Sequence, residues 1–465
     1  MATHFIYSFV VDAGARFPYQ AWHLAHSLVR HCSASPRDIH VQCTPEVDAR
    51  TRTIFSDAGF IVHEIGRFGD GRYCNKLNQL DSLASFPFDV AILLDTDTIA
   101  VSDLRPWIST EAITGKIVDA ENPLLSTLRE IAEAAGTNPG EPVPTDNGIG
   151  STFEGNCNGG MYSVPRAFCE VLSSHWKRAA LWLLGENDAL QRAGKAEHVD
   201  QVSFWLALRQ TGLPFKRAAA NVNYFVHVDG AHIYHEPTEP ISLLHYHNSA
   251  LNVLGAIEAP QQSLSDARKS IATANAEMAC SFNNELFWNY RYDLWPERGS
   301  GIGSRGENLS YKRHLLTEVG ISDANSVLDI GCGDMEVIRH FRLSQYTGLD
   351  LSPVALARGR EIFPHGRFYL GLPQDLEQAE IVLCFEVLIH QQSRDDYNEL
   401  VSYAAAHASK SLIISGYEQE TDAIRLNPMV FFHEPLSQSL QRVGYFSSIE
   451  KIGAHTDVNI YRCNV

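Results

Sequence analysis

The chain has 465 residues, of which 45% are hydrophobic and 10% aromatic, so it has a globular composition and the length of about three average domains. Asp and Glu (55) outnumber Lys and Arg (37), which gives a net charge of -18. An acidic chain without a Lys/Arg run lacks the electrostatic footprint of a nucleic-acid-binding protein, and we expect no nucleic-acid partner. Nine cysteines without a Cys-x-x-Cys pair indicate neither a disulfide framework nor a structural zinc site.

The first residues carry no basic segment before their apolar run, and that run is only as long as a strand. No apolar stretch reaches the roughly 18 residues that a membrane-spanning helix requires. The sequence therefore predicts a protein without a transmembrane segment, and we expect a cytoplasmic location.

The first half of the chain alternates between strand and helix patterns. Apolar, strand-like segments lie at 4–11, 39–43, 60–65 and 90–94, and helical patterns lie between them at 19–31, 47–58 and 75–85. This alternation predicts a parallel sheet covered by helices on both faces. Residues 122–155 are rich in Pro, Gly, Asn and Thr, so we expect an irregular loop over a binding site there.

The first candidate site is Asp95-Thr96-Asp97, which directly follows the apolar strand 90–94. The carboxyl edge of a parallel sheet is where open α/β folds bind ligands. Carboxylate oxygens suit Mg²⁺ or Mn²⁺, which also bridge to phosphate. A bare Asp-x-Asp is common as a solvated turn, but its position after a buried strand favours a metal site.

Three later segments have individually ordinary explanations. Asn158-Gly159-Gly160 opens a short apolar segment, where glycines let the backbone approach a ligand closely. Asp200-Gln201 begins an amphipathic helix, where an acid also serves as a helix cap. His245 ends another apolar strand, a position where a histidine is more often structural than a ligand.

Taken in this order, these residues resemble the GT-A glycosyltransferases of the glycogenin and bacterial lipopolysaccharide galactosyltransferase type, over about residues 3–250. Two departures leave the subfamily and the stereochemistry open: Gly159 stands where the family usually has a small side chain, and no His-x-x-Gly-x-x-Lys-Pro-Trp tail follows His245. The resemblance implies a nucleotide-sugar donor and a divalent metal held by Asp95, Asp97 and His245, a sugar pocket lined by Asn158 and Gly160, Asp200 and Gln201 near the reacting carbon, and Lys76 facing the diphosphate.

The second half begins with a helical pattern at 261–294 and a glycine-rich segment at 299–306. A helix at 308–319, a strand at 326–330, a helix at 336–342 and a strand at 346–349 follow. We therefore expect domains at 1–258 and 299–465, joined by a helical connector at 259–298.

In the strand 326–330 and the turn after it, Asp329 is followed by Gly331-Cys332-Gly333. A dinucleotide fingerprint requires a third glycine at position 336, which is Glu. An acid at that helix start would repel a pyrophosphate, so a nicotinamide dehydrogenase is disfavoured.

This segment resembles motif I of the class I S-adenosylmethionine-dependent methyltransferases, and the resemblance extends over 285–465, although Met335 stands where many members have a third glycine. It implies that Asp329, Gly331 and Gly333 contact the methionine end of S-adenosylmethionine, and that Asp350, at the next strand end, binds its ribose. The segment with Arg305 is either a linker or a lid whose arginine pairs with the cofactor carboxylate. His390 and His433 are candidates for the base that a sugar hydroxyl needs, although each also suits a structural role.

Together these features predict an α/β protein with two Rossmann-like domains, an N-terminal GT-A domain and a C-terminal class I methyltransferase domain. The predicted function is bifunctional: transfer of a sugar to a glycan or saccharide acceptor, and methylation of a sugar hydroxyl. In the alternative, only the methyltransferase is active, and the first domain is a silent glycan-binding or scaffolding module.

Overall fold

The computed structural model describes residues 3–227, 232–247, 250–260 and 265–465. The chain forms two compact units, Met1–Ser281 and Phe282–Val465. The division falls inside the segment 259–298, which the sequence analysis assigned to a connector. Within the described residues, every helix is too short or too polar to cross a bilayer.

The first unit is a mixed α/β structure. Its strands are β1 Phe5–Val11, β2 Ile39–Cys43, β3 Ile61–Glu64, β4 Val90–Leu94, β5 Thr98–Ala100, β6 Ile113–Ile117, β7 Pro142–Pro144, β8 Ser151–Phe153, β9 Cys157–Pro165, β10 Phe215–Arg217, β11 Tyr224–Phe225 and β12 Leu243–His245. Its α-helices are α1 Arg16–His31, α2 Ala49–Asp57, α3 Gln79–Ser82, α4 Leu125–Ala134, α5 Cys169–Gly185, α6 Ala189–Arg192, α7 Val199–Thr211 and α8 Ser265–Cys280.

The main sheet of this unit has the strand order β10-β6-β9-β4-β1-β2-β3. Strands β1 to β4 pair in parallel, as the alternation of strands and helices predicted, whereas β9 runs antiparallel between β4 and β6. A smaller sheet, β11-β12-β5, lies at the end of β4 and is formed by residues that follow the acid pair and by the late strand.

Strand β4 is buried on both faces, which is why its sequence is uniformly apolar. Ala91 and Leu93 belong to the hydrophobic core that also contains α5 and α7, whereas Ile92 and Leu94 belong to the core under α1 and α2. The strand thus ends in the middle of the unit, and Asp95 emerges at the carboxyl edge of the sheet.

The second unit is also α/β. Its strands are β13 Val327–Ile330, β14 Tyr346–Asp350, β15 Arg367–Leu370, β16 Ala379–Cys384, β17 Ala408–Gly416, β18 Ser448–His455 and β19 Val458–Asn464. Its α-helices are α9 Asn284–Leu294, α10 Gly306–Glu318, α11 Pro353–Ile362, α12 Arg394–Ala406, α13 Asp422–Arg425 and α14 Leu436–Val443.

The sheet of the second unit has the order β15-β14-β13-β16-β17-β19-β18. Strands β13 to β17 pair in parallel, and β19 runs antiparallel between β17 and β18. The order reverses at β13, because the chain moves to one side through β14 and β15 and then crosses to β16 on the other side. Open α/β sheets bind ligands at such a reversal, above the carboxyl ends of the strands.

Two predicted elements of the first unit differ from the structure. The helix expected at 75–85 is a 3₁₀ helix over Tyr73–Asn78 followed by the short α3. The buried Asn75 side chain bonds to the backbone of Phe68 and Gly71, and such local side-chain bonds compete with an α-helix. The segment 122–155 is more regular than predicted, because it contains α4 and the β7–β8 hairpin. In α4 the helical spacing of Leu128, Ile131 and Ala132 buries one face.

Two predictions for the second half also need correction. The helical pattern at 261–294 consists of α8 and α9, with a break between them that coincides with the unit boundary, and residues 261–264 lie outside the described residues. The helix expected at 336–342 does not form, and the chain makes turns through residue 340. Met335 has a φ of +65°, so the backbone leaves the glycine turn in a conformation that does not continue into a helix.

Candidate functional sites

The first candidate site lies where the main sheet of the first unit meets the smaller sheet β11-β12-β5. The Asp95 N–H donates to the Gly160 carbonyl at 3.1 Å, which places β9 beside the acid pair. Strand β5 begins after Asp97 and pairs with β12, so that Thr98 lies opposite His245. The pairing of two strands far apart in the chain therefore brings Asp97 and His245 together.

Asp97, His245 and His247 each offer a ligand atom, and within the described part of the chain these atoms lie within 4.8 Å of one another. The Asp97 Oδ1 and His245 Nε2 atoms are 3.3 Å apart. His245 was expected here from the sequence, whereas His247 was not. The residue types suit a divalent transition metal, because carboxylate and imidazole are its common protein ligands.

The orientation of His245 is set by two asparagines. Asn158 Oδ1 accepts two hydrogen bonds, one from the Gly160 N–H and one of 2.9 Å from Asn223 Nδ2. The Asn223 Oδ1 then accepts from His245 Nδ1 at 3.0 Å. Because Nδ1 carries the proton, the Nε2 lone pair faces Asp97, which is the orientation that a metal ligand needs. Asn158 lines the cavity and also supports the histidine.

Asp95 lies outside this cluster, although the sequence motif predicted it as a metal ligand. Its Oδ1 is 2.7 Å from Lys76 Nζ, and the same ammonium is 3.1 Å from Asp200 Oδ2. Burial opposes the charge on Lys76, but Asp95 and Asp200 outweigh it and hold the pKa of this lysine above its ordinary value. Burial disfavours the charged form of Asp200 too, which raises the pKa of this carboxyl group. The three residues form a charge triad beside the metal-ligand cluster, in which Lys76 and Asp200 are largely buried and Asp95 is partly exposed.

Glycines are required between the triad and the cluster. A Cβ on Gly159 would lie 2.7 Å from Lys76 Nζ, and one on Gly160 would lie 2.6 Å from His245 Nδ1 and 2.8 Å from Asn223 Oδ1. Gly159, which stands where the family pattern usually has a small side chain, therefore leaves room for Lys76, and Gly160 leaves room for the histidine and its support.

A cavity of about 670 Å³ opens in front of these residues. This volume is in the range of sites that hold a drug-sized ligand. Asp200 and Gln201, at the start of α7, both line it, and Asp200 Oδ1 is buried without a hydrogen-bond partner among the described residues. Gln201 Nε2 lies 3.4 Å from His198 Nδ1. Arg16 and Arg72 also line the cavity, so it offers cations as well as a metal-ligand set.

The second candidate site lies at the strand-order reversal of the second unit. A cavity of about 100 Å³ is bounded there by the end of β13, the glycine turn and the end of β16. Gly331 and Gly333 have φ values of +71° and +55°, which glycine adopts without strain. The Gly333 N–H donates to Asp350 Oδ2 at 2.9 Å, and the Ser352 N–H donates to Asp350 Oδ1 at 2.8 Å. Asp350 is thus fixed at the end of β14, and burial raises its pKa to about 6.

Asp329 lies on β13 under the glycine turn and lines the same cavity. Its Oδ2 accepts a hydrogen bond of 2.9 Å from the Tyr346 hydroxyl. Burial raises the pKa of Asp329 to about 7, although the bond from Tyr346 opposes this shift. The structure therefore places Asp329, Gly331 and Asp350 around one cavity, and Gly333 bonds to Asp350 at its edge.

Arg305 does not line this cavity. Its guanidinium pairs with Asp334 Oδ2 at 2.5 Å, and Asp334 also accepts from the Ser300 N–H at 2.9 Å and from the Ser300 hydroxyl at 3.0 Å. The segment before α10 is therefore tied to the glycine turn and is not a plain linker. As a lid, Arg305 was expected to pair with the cofactor carboxylate. In the structure its guanidinium pairs with the buried carboxylate of Asp334 instead.

The two candidate bases occupy different positions. His390 lines the cavity, and its Nδ1 bonds to the Met429 carbonyl at 2.7 Å. A carbonyl only accepts, so Nδ1 carries the proton and Nε2 presents a lone pair. Burial lowers the pKa of His390, which keeps the imidazole neutral. His433 Nε2 donates to the Gln391 carbonyl at 2.8 Å and is not among the lining residues, so of the two candidates only His390 faces the cavity.

A charged cluster at this cavity was missed from the sequence. Glu386 lines the cavity with a φ of +58°, and its Oε1 lies 2.8 Å from both Lys312 Nζ and His455 Nε2. Burial raises the pKa of Glu386, but His455 and Lys312 outweigh it and bring the pKa to about 2. Glu386 follows β16 by two residues, and this position after an apolar strand was the one available signal.

No family model matches the sequence, and no curated protein matches it. Among solved structures, the chain is similar to magnesium protoporphyrin IX methyltransferase from Synechocystis PCC 6803, with 17% identity, 34% of this chain and 82% of that chain covered, and a TM-score of 0.29. It is also similar to the N-methyltransferase NodS from Bradyrhizobium japonicum WM9, with 14% identity, 34% and 85% covered, and a TM-score of 0.29. An amino pentose methyltransferase from Micromonospora echinaspora aligns at 24% identity over 24% of this chain and 52% of that chain, with a TM-score of 0.22. All three are methyltransferases, but these scores are too low to carry an argument about function, which rests on the sites themselves.

Proposed function

We propose that the unit Phe282–Val465 is an S-adenosylmethionine-dependent methyltransferase. The observation that carries this proposal is the charge of the cavity at the strand-order reversal. Among the described residues, no Lys or Arg lines it. Such a site favours a cofactor that carries a sulfonium and an ammonium group, and it disfavours the pyrophosphate of a dinucleotide. Five acidic residues line it: Asp329, Asp334, Glu336, Asp350 and Glu386.

The cofactor would be held by the residues around the glycine turn. Asp350 would accept hydrogen bonds from the two ribose hydroxyls, because its carboxylate is already oriented by two backbone N–H groups. Gly331 and Gly333 would allow the methionine end to approach the backbone, with Asp329 beside it. When bound, S-adenosylmethionine supplies a methyl group on a positively charged sulfur. The nucleophile bonds to the methyl carbon, and the sulfur leaves as a neutral thioether.

The acceptor hydroxyl would lie near His390. An alcohol is a poor nucleophile, so its proton must leave as the oxygen attacks. His390 Nε2 offers a lone pair for that proton, because Nδ1 donates its own proton to the Met429 carbonyl. Trp288, whose ring lies 5.0 Å from that of His390, also lines the cavity and offers an apolar face to a sugar ring.

For the unit Met1–Ser281, the proposed activity is metal-dependent sugar transfer from a nucleotide-sugar donor. The support is the large cavity at the carboxyl edge of the sheet, which combines Asp97 and His245 with the cation Lys76. When bound, a divalent cation neutralises the charge that grows on the diphosphate leaving group. Lys76 adds positive charge on the same side, and the unpartnered Asp200 Oδ1 would accept a hydrogen bond from a sugar hydroxyl.

The combined proposal is an enzyme that transfers a sugar and methylates a sugar hydroxyl of a glycan or saccharide. The alternative retains only the methyltransferase and treats the first unit as a binding or scaffolding module. Thermal unfolding with S-adenosylhomocysteine, and with UDP, GDP, CMP or dTDP in the presence and absence of Mn²⁺, separates the two. A ligand at a hundred times its Kd stabilises its domain by about 2.7 kcal/mol, enough to shift Tm by several degrees.

Two variants serve as reciprocal controls in that experiment. Asp97→Ala is expected to remove the stabilisation by nucleotide with Mn²⁺ and to leave that by S-adenosylhomocysteine, whereas Asp350→Asn is expected to do the reverse. Stabilisation by S-adenosylhomocysteine alone in the parent protein would favour the scaffolding alternative. No response to S-adenosylhomocysteine would contradict the methyltransferase proposal itself.

A further inference from the structure

The two acids of Asp95-Thr96-Asp97 do not face the same partner. Asp97 points towards His245, with 3.3 Å between Oδ1 and Nε2, whereas Asp95 Oδ1 is 2.7 Å from Lys76 Nζ. The Lys76 side chain is 12% exposed and also contacts Asp200, so the ammonium is held in place from two sides. Asp95 Oδ1 therefore orients the Lys76 ammonium, and a metal ion at the same oxygen would be repelled by the charge of the lysine.

A third ligand comes from the residue two positions after His245. His245 and His247 lie on the same side of the chain, with ring centroids 5.6 Å apart and planes inclined by 24°. His247 lines the cavity, and its ligand atom falls within 4.8 Å of those of Asp97 and His245. The protein's donor set is then two imidazoles and one carboxylate.

This donor set has a consequence for metal choice. Mg²⁺ prefers oxygen ligands, whereas imidazole suits transition metals, whose affinity rises from Mn²⁺ through Co²⁺. Asn223 also holds His245 by its Nδ1, and a histidine oriented in this way is a better ligand than a free one. A site of carboxylate oxygens alone, which is all that the acid pair by itself indicates, would not make this distinction.

We propose that Asp97, His245 and His247 form a nitrogen-rich site that selects Mn²⁺, Co²⁺ or Zn²⁺ over Mg²⁺, while Asp95 positions Lys76 and does not bind the metal. The proposal rests on the proposed metal-dependent function of the first unit and names the metal class and the ligands of that site.

The test measures binding of the metal alone to the full chain. Mn²⁺ is titrated and followed by electron paramagnetic resonance, and Co²⁺ is titrated and followed by its visible absorption. His247→Ala is expected to weaken Mn²⁺ binding about tenfold or more and to change the Co²⁺ spectrum. Asp95→Asn is expected to change Mn²⁺ affinity by much less than the roughly tenfold that loss of a ligand or of a ligand's supporting partner costs, and to leave the Co²⁺ spectrum unchanged, because Asp95 pairs with Lys76 and supports none of the three proposed ligands.

The matched control is His175→Ala, which changes a partly exposed histidine on α5 whose Nδ1 bonds to the Val171 carbonyl. It is expected to bind both metals like the parent protein. The proposal is overturned if the parent protein binds neither metal, if Mg²⁺ displaces Co²⁺ when the two ions are present at equal concentration, or if Asp95→Asn abolishes binding while His247→Ala does not.

Nucleotide binding separates this proposal from the proposed function. If Mn²⁺ binds through His247 but no nucleotide stabilises the protein, the metal assignment stands and the sugar-transfer function fails. If nucleotide stabilisation depends on Mn²⁺ but survives His247→Ala with full metal affinity, the function stands and the ligand assignment is wrong.

Discussion

Gly331→Ala is expected to destabilise the second unit much more than the same change at Gly371. Both glycines have a φ of +71°, so an alanine at either position is strained by the backbone alone, by about 1–2 kcal/mol. A Cβ on Gly371 meets no atom within 4 Å, whereas a Cβ on Gly331 would lie 2.2 Å from Val387 Cγ2. The comparison of the two variants therefore isolates the steric contact.

The magnitude of that contact follows from ordinary packing distances. Carbon atoms pack at about 3.5–4.0 Å, so Val387 would have to move by more than about 1 Å. Overpacking of this kind costs about 1–3 kcal/mol, which brings the total for Gly331→Ala to about 2–5 kcal/mol. Val387 precedes the 3₁₀ helix Leu388–His390, so its displacement also moves the proposed base.

Urea denaturation and calorimetric titration with S-adenosylhomocysteine measure the two effects. In the double variant Gly331→Ala/Val387→Ala, residue 387 keeps only its Cβ, which lies 3.4 Å from the new Cβ at position 331. The double-mutant cycle should therefore recover about 1–3 kcal/mol of the stability lost in Gly331→Ala. Alanine lowers the conformational entropy of the unfolded chain by the same amount in Gly331→Ala and Gly371→Ala, so this contribution cancels when the two variants are compared. The reasoning is refuted if these two single variants are equally destabilised, or if Val387→Ala restores nothing.

Three further outcomes are expected. His390→Gln should lower the rate of methyl transfer by about 10²-fold or more without weakening S-adenosylhomocysteine binding, whereas His433→Gln should change stability more than rate, as single-turnover kinetics would show. Because burial raises the pKa of Asp329 to about 7 in the folded protein, the folded state retains a proton that the unfolded state has lost, so stability should fall as pH rises from about 4 to 7. Asp329→Asn should flatten that dependence in urea titrations, and an unchanged slope would contradict the assignment. Glu386→Gln should cost about 3–5 kcal/mol because it leaves the fully buried Lys312 without its carboxylate, and the pair Glu386→Gln/Lys312→Met should recover most of this in thermal unfolding.

Much of the fold was predictable because it depends on local pattern. Strand β4 was predicted with its observed bounds, since five consecutive apolar residues buried on both faces leave little alternative. The helix at 336–342 was predicted wrongly, because its pattern gives no sign that Met335 adopts a positive φ. In α4, turn-forming residues on both sides obscured a clear helical spacing of buried apolar residues.

The candidate sites were predictable in position but not in detail. The motifs placed Asp97, His245 and Asp350 at strand ends, and strand ends meet at one edge of a sheet. Asn223 was missed, since an asparagine directly after a short 3₁₀ helix has no distinguishing sequence signal. Its role depends on the Asn158 oxygen that Gly160 orients.

The sequence by itself determined two α/β units, the strand that ends at the acid pair, and the strand that ends in the glycine turn, because each depends on hydrophobic periodicity and on residues adjacent in the chain. Only the tertiary structure decided that Asp95 faces Lys76 while Asp97 faces His245, and that His390 rather than His433 reaches the cavity. The physical reason is the same in both cases. Which partner a side chain meets is set by pairing between segments distant in sequence, as when β12 pairs with β5, and no local pattern encodes that register.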